Sequence, residues 1–221
     1  NRWWSNMSEK LEGKVCLITG GTEGIGKAAA LELARRGVTL TVVGRNREKT
    51  ERVVGELKAA GGHDRVSMLL GDMSKIADVK AVAKEFAAKN ERLDILINNA
   101  GAWFEKYGLT SDGIEQTFAL NHLSYFVLTR DLLELIRKTP GARVVSTSSG
   151  AHQMSRFDLQ TVVKRNGSAG FPAYADSKLA NVLFTLELAK RLSGTTAVAN
   201  CYHPGFVRSA FGWNNGGFIK A

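Results

Sequence analysis

Short apolar runs alternate along the chain with longer segments in which apolar residues return every three or four positions. Val15-Cys16-Leu17-Ile18-Thr19 and Thr39-Leu40-Thr41-Val42-Val43 are too short for helices and rich in β-branched residues, and with segments 66–70, 93–97, 143–147 and 198–202 they make six strand candidates. Segments 25–36, 48–60, 76–89, 111–138 and 173–192 carry the helical period, with charges on the opposite face. Gly37 after Arg35-Arg36, Gly61-Gly62, Pro140-Gly141 and Gly194 mark the helix ends. Strands alternating with helices predict βαβ units, and nearly continuous apolar strands need helices on both faces of the sheet. The expected fold is α/β, one doubly wound Rossmann-type parallel sheet over residues 13–221, with residues 1–12 as an N-terminal extension.

Composition narrows the class. Among 221 residues, 44% are hydrophobic, 23% charged and three are proline, which excludes disorder, a collagen and a disulfide scaffold. Cys16 and Cys201 sit in apolar runs without metal-binding spacing and read as buried, reduced thiols. No apolar stretch approaches the roughly 20 residues of a membrane span, and Asn1-Arg2-Trp3-Trp4-Ser5-Asn6 lacks the pattern of a signal peptide. A cytoplasmic protein is expected, with peripheral membrane contact left open. Asn6-Met7-Ser8 and Asn166-Gly167-Ser168 match the glycosylation tripeptide without a secretion signal to expose them. The net charge of +9 admits an anionic ligand, a nucleic acid or an acidic membrane as partner. The 23 glycines suggest that backbone comes close to another group in several places.

The first strand runs straight into Thr19-Gly20-Gly21-Thr22-Glu23-Gly24-Ile25-Gly26, and a helix follows. A tight turn there brings backbone N–H groups and a helix N-terminus to where a pyrophosphate can sit. Gly20 lets the chain turn, Gly24 clears the phosphate path and Gly26 permits close helix–strand contact. The spacing is GxxxGxG, and a plain turn is the competing reading. The second strand ends Gly44-Arg45-Asn46-Arg47, with no acid before Glu48. An acid there would take the ribose 2′-hydroxyl of NAD, whereas arginine accommodates the 2′-phosphate of NADP. NADP is therefore expected over NAD, against the alternative that Arg45 and Arg47 decorate a solvated helix start. Asp72 is either an adenine contact or a turn-capping acid before Ser74.

Four polar groups fall at strand ends or on helices meeting that edge: Asn98-Asn99-Ala100-Gly101, Asn121, Ser148-Ser149, and Tyr174 with Lys178. Tyr174 and Lys178 are four apart and share a helix face, so the ammonium can lower the phenol's pKa and make it a general acid/base. No GxSxG surrounds Ser149, and His122, His152 and His203 show no ligand spacing, so neither a hydrolase nor a metal site is expected.

With TGGTEGIG, NNAG, the later Asn, the Ser and YxxxK in order along nearly the whole chain, the sequence resembles the short-chain dehydrogenases/reductases. Asn121-His122-Leu123, Ser177-Lys178-Leu179-Ala180-Asn181 and His203-Pro204-Gly205 resemble its retinol-dehydrogenase-like branch. The resemblance implies an oxidoreductase interconverting a carbonyl and an alcohol. Tyr174 would be its acid/base, Lys178 would tune Tyr174 and hold the nicotinamide ribose, Ser149 would polarise the substrate oxygen, and Asn121 would hold a relay water. Cofactor contacts would come from Gly20, Thr22, Glu23, Gly24, Ile25, Gly26, Arg45, Asn46, Asp72, Met73, Asn98, Ala100, Gly101, Tyr174, Lys178, Pro204, Gly205 and Val207. The family commonly pairs through its long helices, here segments 111–138 and 173–192. Family members continue past the Pro-Gly turn, so a further C-terminal part is expected. The 25 positions from Ser149 to Tyr174 exceed the family's usual spacing and would wall a substrate pocket, as in that branch. Trp103, Phe104, Phe171, Phe206, Phe211 and Trp213 suggest a lipophilic substrate or ordinary packing. An NADP(H)-binding sensor without useful catalysis is the competing reading, and charge alone offers the third, a nucleic-acid or membrane-surface binder.

Overall fold

The computed structural model describes residues 11–156, 158, 170–205 and 207. Six parallel strands form one sheet in the order β3-β2-β1-β4-β5-β6: β1 Val15–Thr19, β2 Thr39–Gly44, β3 Val66–Leu70, β4 Ile95–Asn98, β5 Arg143–Thr147 and β6 Val198–Tyr202. Helices α1 Gly24–Arg35, α2 Arg47–Gly61 and α3 Ile76–Lys89 connect the first four. β4 starts two residues later than its apolar run suggests. The Asp94 carboxylate, rather than main chain, takes the Val15 amide at 3.0 Å and also holds Lys14 and Arg92.

Strand alternation explains the two layers. Cys16, Ile18, Leu40 and Val42 face α1 and α2, where Ala30, Ala34, Val53 and Leu57 complete one core. Leu17, Val43, Leu69, Leu96 and Val144 face the other way, onto Phe86 of α3 and the later helices. Each such side chain contributes about 1.5–3 kcal/mol when fully buried. Gly62 ends α2 in the left-handed conformation (φ +66°), its N–H bonded to the Lys58 carbonyl, a conformation that costs glycine little.

The expected helix 111–138 is broken. Thr110–Glu115 is a turn, closed by the Thr110 N–H on the Ile114 carbonyl at 2.8 Å. The Glu115 carboxylate then accepts the Thr117 and Phe118 amides and caps the short helix α4, Gln116–Phe118. A π-turn, Ala119–Leu123, leads into α5 Ser124–Asp131, and α6 Leu133–Lys138 follows a break at Leu132. Buried residues recur through all of these pieces, so the sequence period does not register the breaks. The last long helix, α7 Phe171–Arg191, begins two residues before the expected start, with Pro172 in its first turn.

In this strand order the chain reverses direction between β1 and β4, and the crevice beyond their carboxyl ends is where open α/β sheets bind ligands. The glycine loop follows β1 and Asn99-Ala100-Gly101 follows β4, so both border that crevice. Among the described residues no helix is long and apolar enough to cross a membrane.

Candidate active site

The glycine loop is clasped from below. Thr19 Oγ1 accepts the amides of Asn99 (3.0 Å) and Ala100 (3.1 Å), and Asn99 Nδ2 donates to the carbonyls of Thr19 (3.2 Å) and Gly20 (3.1 Å). Gly20 has φ +67°, and a Cβ there would lie 2.8 Å from Ala100 Cα. Gly26 is tighter still: its Cβ would meet the Gly20 carbonyl at 2.2 Å and Asn99 Nδ2 at 2.4 Å. Its close contact is thus with the loop itself, not with a strand as the spacing suggests. Glu23 at the N-cap of α1 makes no side-chain cap, so the first amides of that helix have no side-chain partner. Glu23 instead pairs with Lys49 of α2 at 2.5 Å, while Thr22 and Ile25 are half-buried beside it.

At the end of β2, exposed Arg45 lies between two recesses. One, of about 410 Å³, includes Asp72 and Lys75; the other, of about 420 Å³, includes Thr22, Lys49 and Arg52. Asn46 is the N-cap of α2, its Oδ1 accepting the Lys49 amide at 2.8 Å, so that oxygen is already engaged. Asp72 Oδ1 accepts the amide and hydroxyl of Ser74, as a turn-capping acid does. Burial pushes the Asp72 carboxyl up, but the Ser74 hydrogen bonds and the charges of Arg45 and Lys75 outweigh it and hold the pKa below its ordinary value.

Two expected cofactor contacts, Asn98 and Met73, are placed differently. Asn98 is wholly buried and donates to Thr129 Oγ1 of α5 at 3.0 Å, because strand alternation turns it away from the crevice; Asn99 beside it is the residue on the loop. Met73 packs its side chain into the core with Val79 and Val82, leaving only its backbone near the edge. Gly101 is exposed at the edge and also lies beside Asn121, whose Oδ1 would be 3.1 Å from a Cβ at that position. Ala100 is buried, whereas Pro204 is half-buried and Gly205 and Val207 are exposed just past β6 at the carboxyl edge.

The remaining groups converge beside β5. Ser149 caps a short 3₁₀ helix, Gly150–Met154, and hydrogen-bonds Tyr174. Ser148 turns inward and donates to the Lys178 carbonyl at 2.9 Å, so the second serine is the one at the tyrosine. Lys178, 3% exposed, donates to the Thr147 carbonyl at 3.0 Å, with its nitrogen 5.5 Å from the centre of the Tyr174 ring. Burial lowers the Lys178 pKa to about 7. Burial also raises that of Tyr174, while the Ser149 hydrogen bond pulls it down. The expected lowering of the phenol by Lys178 is therefore not what this arrangement produces. The nitrogen is desolvated and bonded to a main-chain carbonyl over the ring face, and Ser149 supplies the opposing influence.

Asn121 is held through its side chain. Its Oδ1 accepts the Ala102 amide (2.9 Å), and its Nδ2 donates to the Ala102 carbonyl (2.9 Å) and to Ser177 Oγ (3.1 Å). That side chain is committed to fixing the loop after Gly101. What Asn121 offers a water is its main-chain oxygen, one of whose acceptor directions is taken by Asn181 Nδ2.

Trp103 meets Phe171 edge-on at 6.3 Å, and Phe171 lies 6.3 Å from Tyr174, forming an aromatic wall beside the phenol. Phe104 contributes its carbonyl, which accepts the Gly170 amide. Phe206, Phe211, Trp213, residues 157 and 159–169 of the segment between Ser149 and Tyr174, residues 1–10 and both glycosylation tripeptides lie outside the described residues. Thr147 is not among the expected site residues, and Thr19 and Asn99 stand there only within their motifs, without roles of their own, although the tandem asparagines carry a signal, since alternation sends only one of two neighbours to each face.

The family profile described as short chain dehydrogenase matches residues 14–216. Retinol dehydrogenase 12 of Mus musculus is 42% identical over 200 residues, and retinol dehydrogenase 11 of Homo sapiens 40%, each alignment covering 90% of this chain and 63% of the relative. The chain thus spans 63% of the length of these curated relatives. A crystal structure of a protein from Mycobacterium paratuberculosis superposes with a TM-score of 0.80 at 34% identity, over 92% of this chain and 72% of that one. The Pseudomonas aeruginosa RhlG/NADP active-site complex superposes with a TM-score of 0.73 at 29% identity, over 90% and 75%.

Proposed function

The chain belongs to the short-chain dehydrogenase family, in its retinol-dehydrogenase-like branch, and from that premise we propose an NADP(H)-dependent oxidoreductase that interconverts a carbonyl and an alcohol on a small lipophilic substrate. The observation that carries this reading is the convergence of Ser149, Tyr174 and Lys178 at the sheet edge that also bears the glycine loop. The loop fits a dinucleotide: Gly20 and Gly26 have no room for a Cβ, and the first turn of α1 has no side-chain cap. When bound, the dinucleotide supplies or accepts the hydride. Gly20, Gly24 and the α1 amides would hold its phosphates, and Arg45, with no acid at the end of β2, favours the 2′-phosphate form.

Tyr174 gives a proton to the substrate oxygen during reduction and takes one during oxidation. Burial keeps the phenol protonated, the form reduction needs, while the Ser149 hydrogen bond favours the phenolate that oxidation needs. Ser149 stands beside that hydroxyl, where it can donate to the same substrate oxygen. The Trp103 and Phe171 wall supports a lipophilic substrate, as do the names of the retinol dehydrogenases. Exposed Phe126 of α5 with Leu183 and Leu186 of α7 support pairing of two chains along those helices, and the free thiols suit a cytoplasmic location.

The test is to follow NADPH absorbance with retinaldehyde and a panel of other aldehydes and ketones. Turnover should fall about 10²- to 10⁴-fold in Tyr174→Phe while NADPH affinity is kept. Undiminished turnover in that variant overturns the assignment. Lys178 bonded to Thr147 rather than to the phenol favours a second reading, an NADP(H)-binding sensor, which would bind NADPH without turnover on any of these substrates.

A further inference from the structure

Asn181 lies three residues after Lys178 on α7, is wholly buried, and takes no part in the chemistry above. Its Nδ2 donates to the main-chain carbonyl of Asn121 at 2.9 Å and to that of Thr147 at 3.3 Å, and its Oδ1 pairs with His122 Nδ1 at 2.9 Å. These bonds join three separate elements: the π-turn, the end of β5, and the helix that carries Tyr174 and Lys178. They also join pieces of two sequence motifs, Asn121-His122 and Lys178 to Asn181, that are 60 positions apart.

Both carbonyls have particular needs. A π-turn puts the carbonyls that follow its widened bond out of step with the next amides. The Leu120 carbonyl takes the Ser124 hydroxyl at 2.6 Å, and the Asn121 carbonyl takes Asn181. The Thr147 carbonyl receives two donors, Lys178 Nζ at 3.0 Å and Asn181 Nδ2. A buried carbonyl left without any donor is costly. Were Lys178 to leave Thr147 for the Tyr174 hydroxyl, Asn181 would be the donor that remains behind.

We propose that Asn181 is a positioning residue of the proton-transfer site, holding the Asn121 and Thr147 carbonyls so that Lys178 can exchange Thr147 for the Tyr174 hydroxyl without stranding a buried acceptor. The orientation of its amide follows from donor and acceptor count. Both Nδ2 hydrogens are given away, so Oδ1 can only accept, and His122 presents Nδ1–H as a neutral imidazole. Burial and the Lys178 charge disfavour protonation of His122 and outweigh the Asn181 hydrogen bond, which favours it, so the ring stays neutral. Among the described residues, Tyr174 on its own helix and His122 from the π-turn face Lys178, and Tyr202 of β6 reaches the Thr147 hydroxyl at 3.3 Å.

The inference rests on Tyr174 acting as the acid/base, so its test includes readouts that need no turnover. The first is ¹⁵N NMR of His122 in the unaltered protein, where Nδ1–H is expected and an Nε2–H tautomer overturns the proposed orientation. The second is the NMR titration of the Lys178 ammonium in Asn181→Leu. With Lys178 as the sole donor to Thr147, its charged form is favoured, so the midpoint should rise. The pH profile of kcat should move the same way, with kcat down about ten- to hundredfold and KM for NADPH little changed. A folded Asn181→Leu protein whose Lys178 midpoint and pH profile match the unaltered protein overturns the proposal. If that variant does not fold, Asn181→Asp takes its place. It keeps the shape, removes both donated bonds and sets a carboxylate within about 6 Å of Lys178, so the midpoint should rise by about 1–3 pH units; an unmoved midpoint there is equally fatal. If the unaltered protein shows no turnover at all, the enzyme reading fails, while the tautomer and the Lys178 titration still decide the role of Asn181 in setting the lysine.

Discussion

Replacing Lys178 with methionine removes a buried amine while keeping the length of the side chain. Burial lowers the Lys178 pKa from 10.5 to about 7, so between those values the unfolded chain binds a proton that the folded chain does not. Stability contributed by this group must therefore rise with pH across that window and be lost as pH falls toward 7. At 1.36 kcal/mol per pH unit, the rise between about pH 7.5 and about pH 9.5 amounts to about 2.5 kcal/mol. Other buried groups act in the opposite direction. Burial pushes the Cys16 thiol and the Tyr125 and Tyr174 phenols up, so the unfolded chain ionises first and stability falls as pH climbs through their ordinary values. Those contributions are common to both proteins and cancel in the difference. Urea unfolding of the unaltered protein and of Lys178→Met at the two pH values should show the difference moving by about 2.5 kcal/mol in favour of lysine at the higher pH. At the lower pH the methionine protein should be the more stable, because Thr147 keeps its bond from Asn181 and no amine has to shed its proton to fold. A difference that stays constant within about 0.5 kcal/mol would mean that Lys178 is not desolvated, and the reasoning about its exchange between Thr147 and Tyr174 would fall with it.

Four further substitutions give outcomes that can be checked. Gly26→Ala forces a Cβ against the Gly20 carbonyl and Asn99, so NADPH affinity by calorimetry should drop at least about tenfold at a stability cost of about 1–3 kcal/mol; Gly55→Ala, on exposed α2 with nothing within 4 Å, should instead stabilise by up to about 1 kcal/mol. Arg45→Ala should weaken NADPH binding by roughly 10- to 100-fold and leave NADH almost unaffected, and an equal loss for both would remove Arg45 from the 2′-phosphate. Asp94→Ala strips the acceptor from Lys14, Val15 and Arg92, so thermal unfolding should show a loss of about 2–4 kcal/mol with NADPH affinity unchanged. Burial raises the Asp94 carboxyl, but its hydrogen bonds win and hold the pKa below 3.8, so its contribution in the unaltered protein should persist above that value and disappear as pH falls below it.

Periodicity located every strand among the described residues, because a parallel sheet covered on both faces writes each strand as an apolar run bounded by turn residues. It failed where main-chain bonding changes without a change in the apolar stripe. The run from Gln116 to Lys138 keeps its buried residues in phase while Glu115 caps a first short turn, a π-turn widens the backbone at Asn121, and Leu132 interrupts the axis. The π-turn is held by polar partners distant in sequence, Ala102, Ser177 and Asn181, which no local pattern displays. The chemistry of the site was legible as residue types at strand ends. Its electrostatics were not, because the spacing of Tyr174 and Lys178 puts them on one face without saying that both are buried or that Lys178 already has a carbonyl partner.

The tandem Asn98-Asn99 shows what neighbouring identical residues can be made to do by geometry alone. One side chain turns under the sheet and ties β4 to Thr129 of α5; the next turns up and holds the glycine loop through the Thr19 and Gly20 carbonyls. The lower bond fixes the helix that follows the π-turn, and the upper one fixes the loop against which Gly26 packs. Each asparagine therefore couples the strand to one half of the site, Asn98 to the Asn121 and Asn181 network by way of α5, Asn99 to the phosphate side. Charge divides along the same line. Arg45, Lys49, Arg52 and Lys75 gather with Glu23, Glu48, Asp72 and Asp78 around the two recesses on the glycine-loop side, whereas on the other side Lys178 is buried and its pKa is lowered to about 7 by desolvation alone.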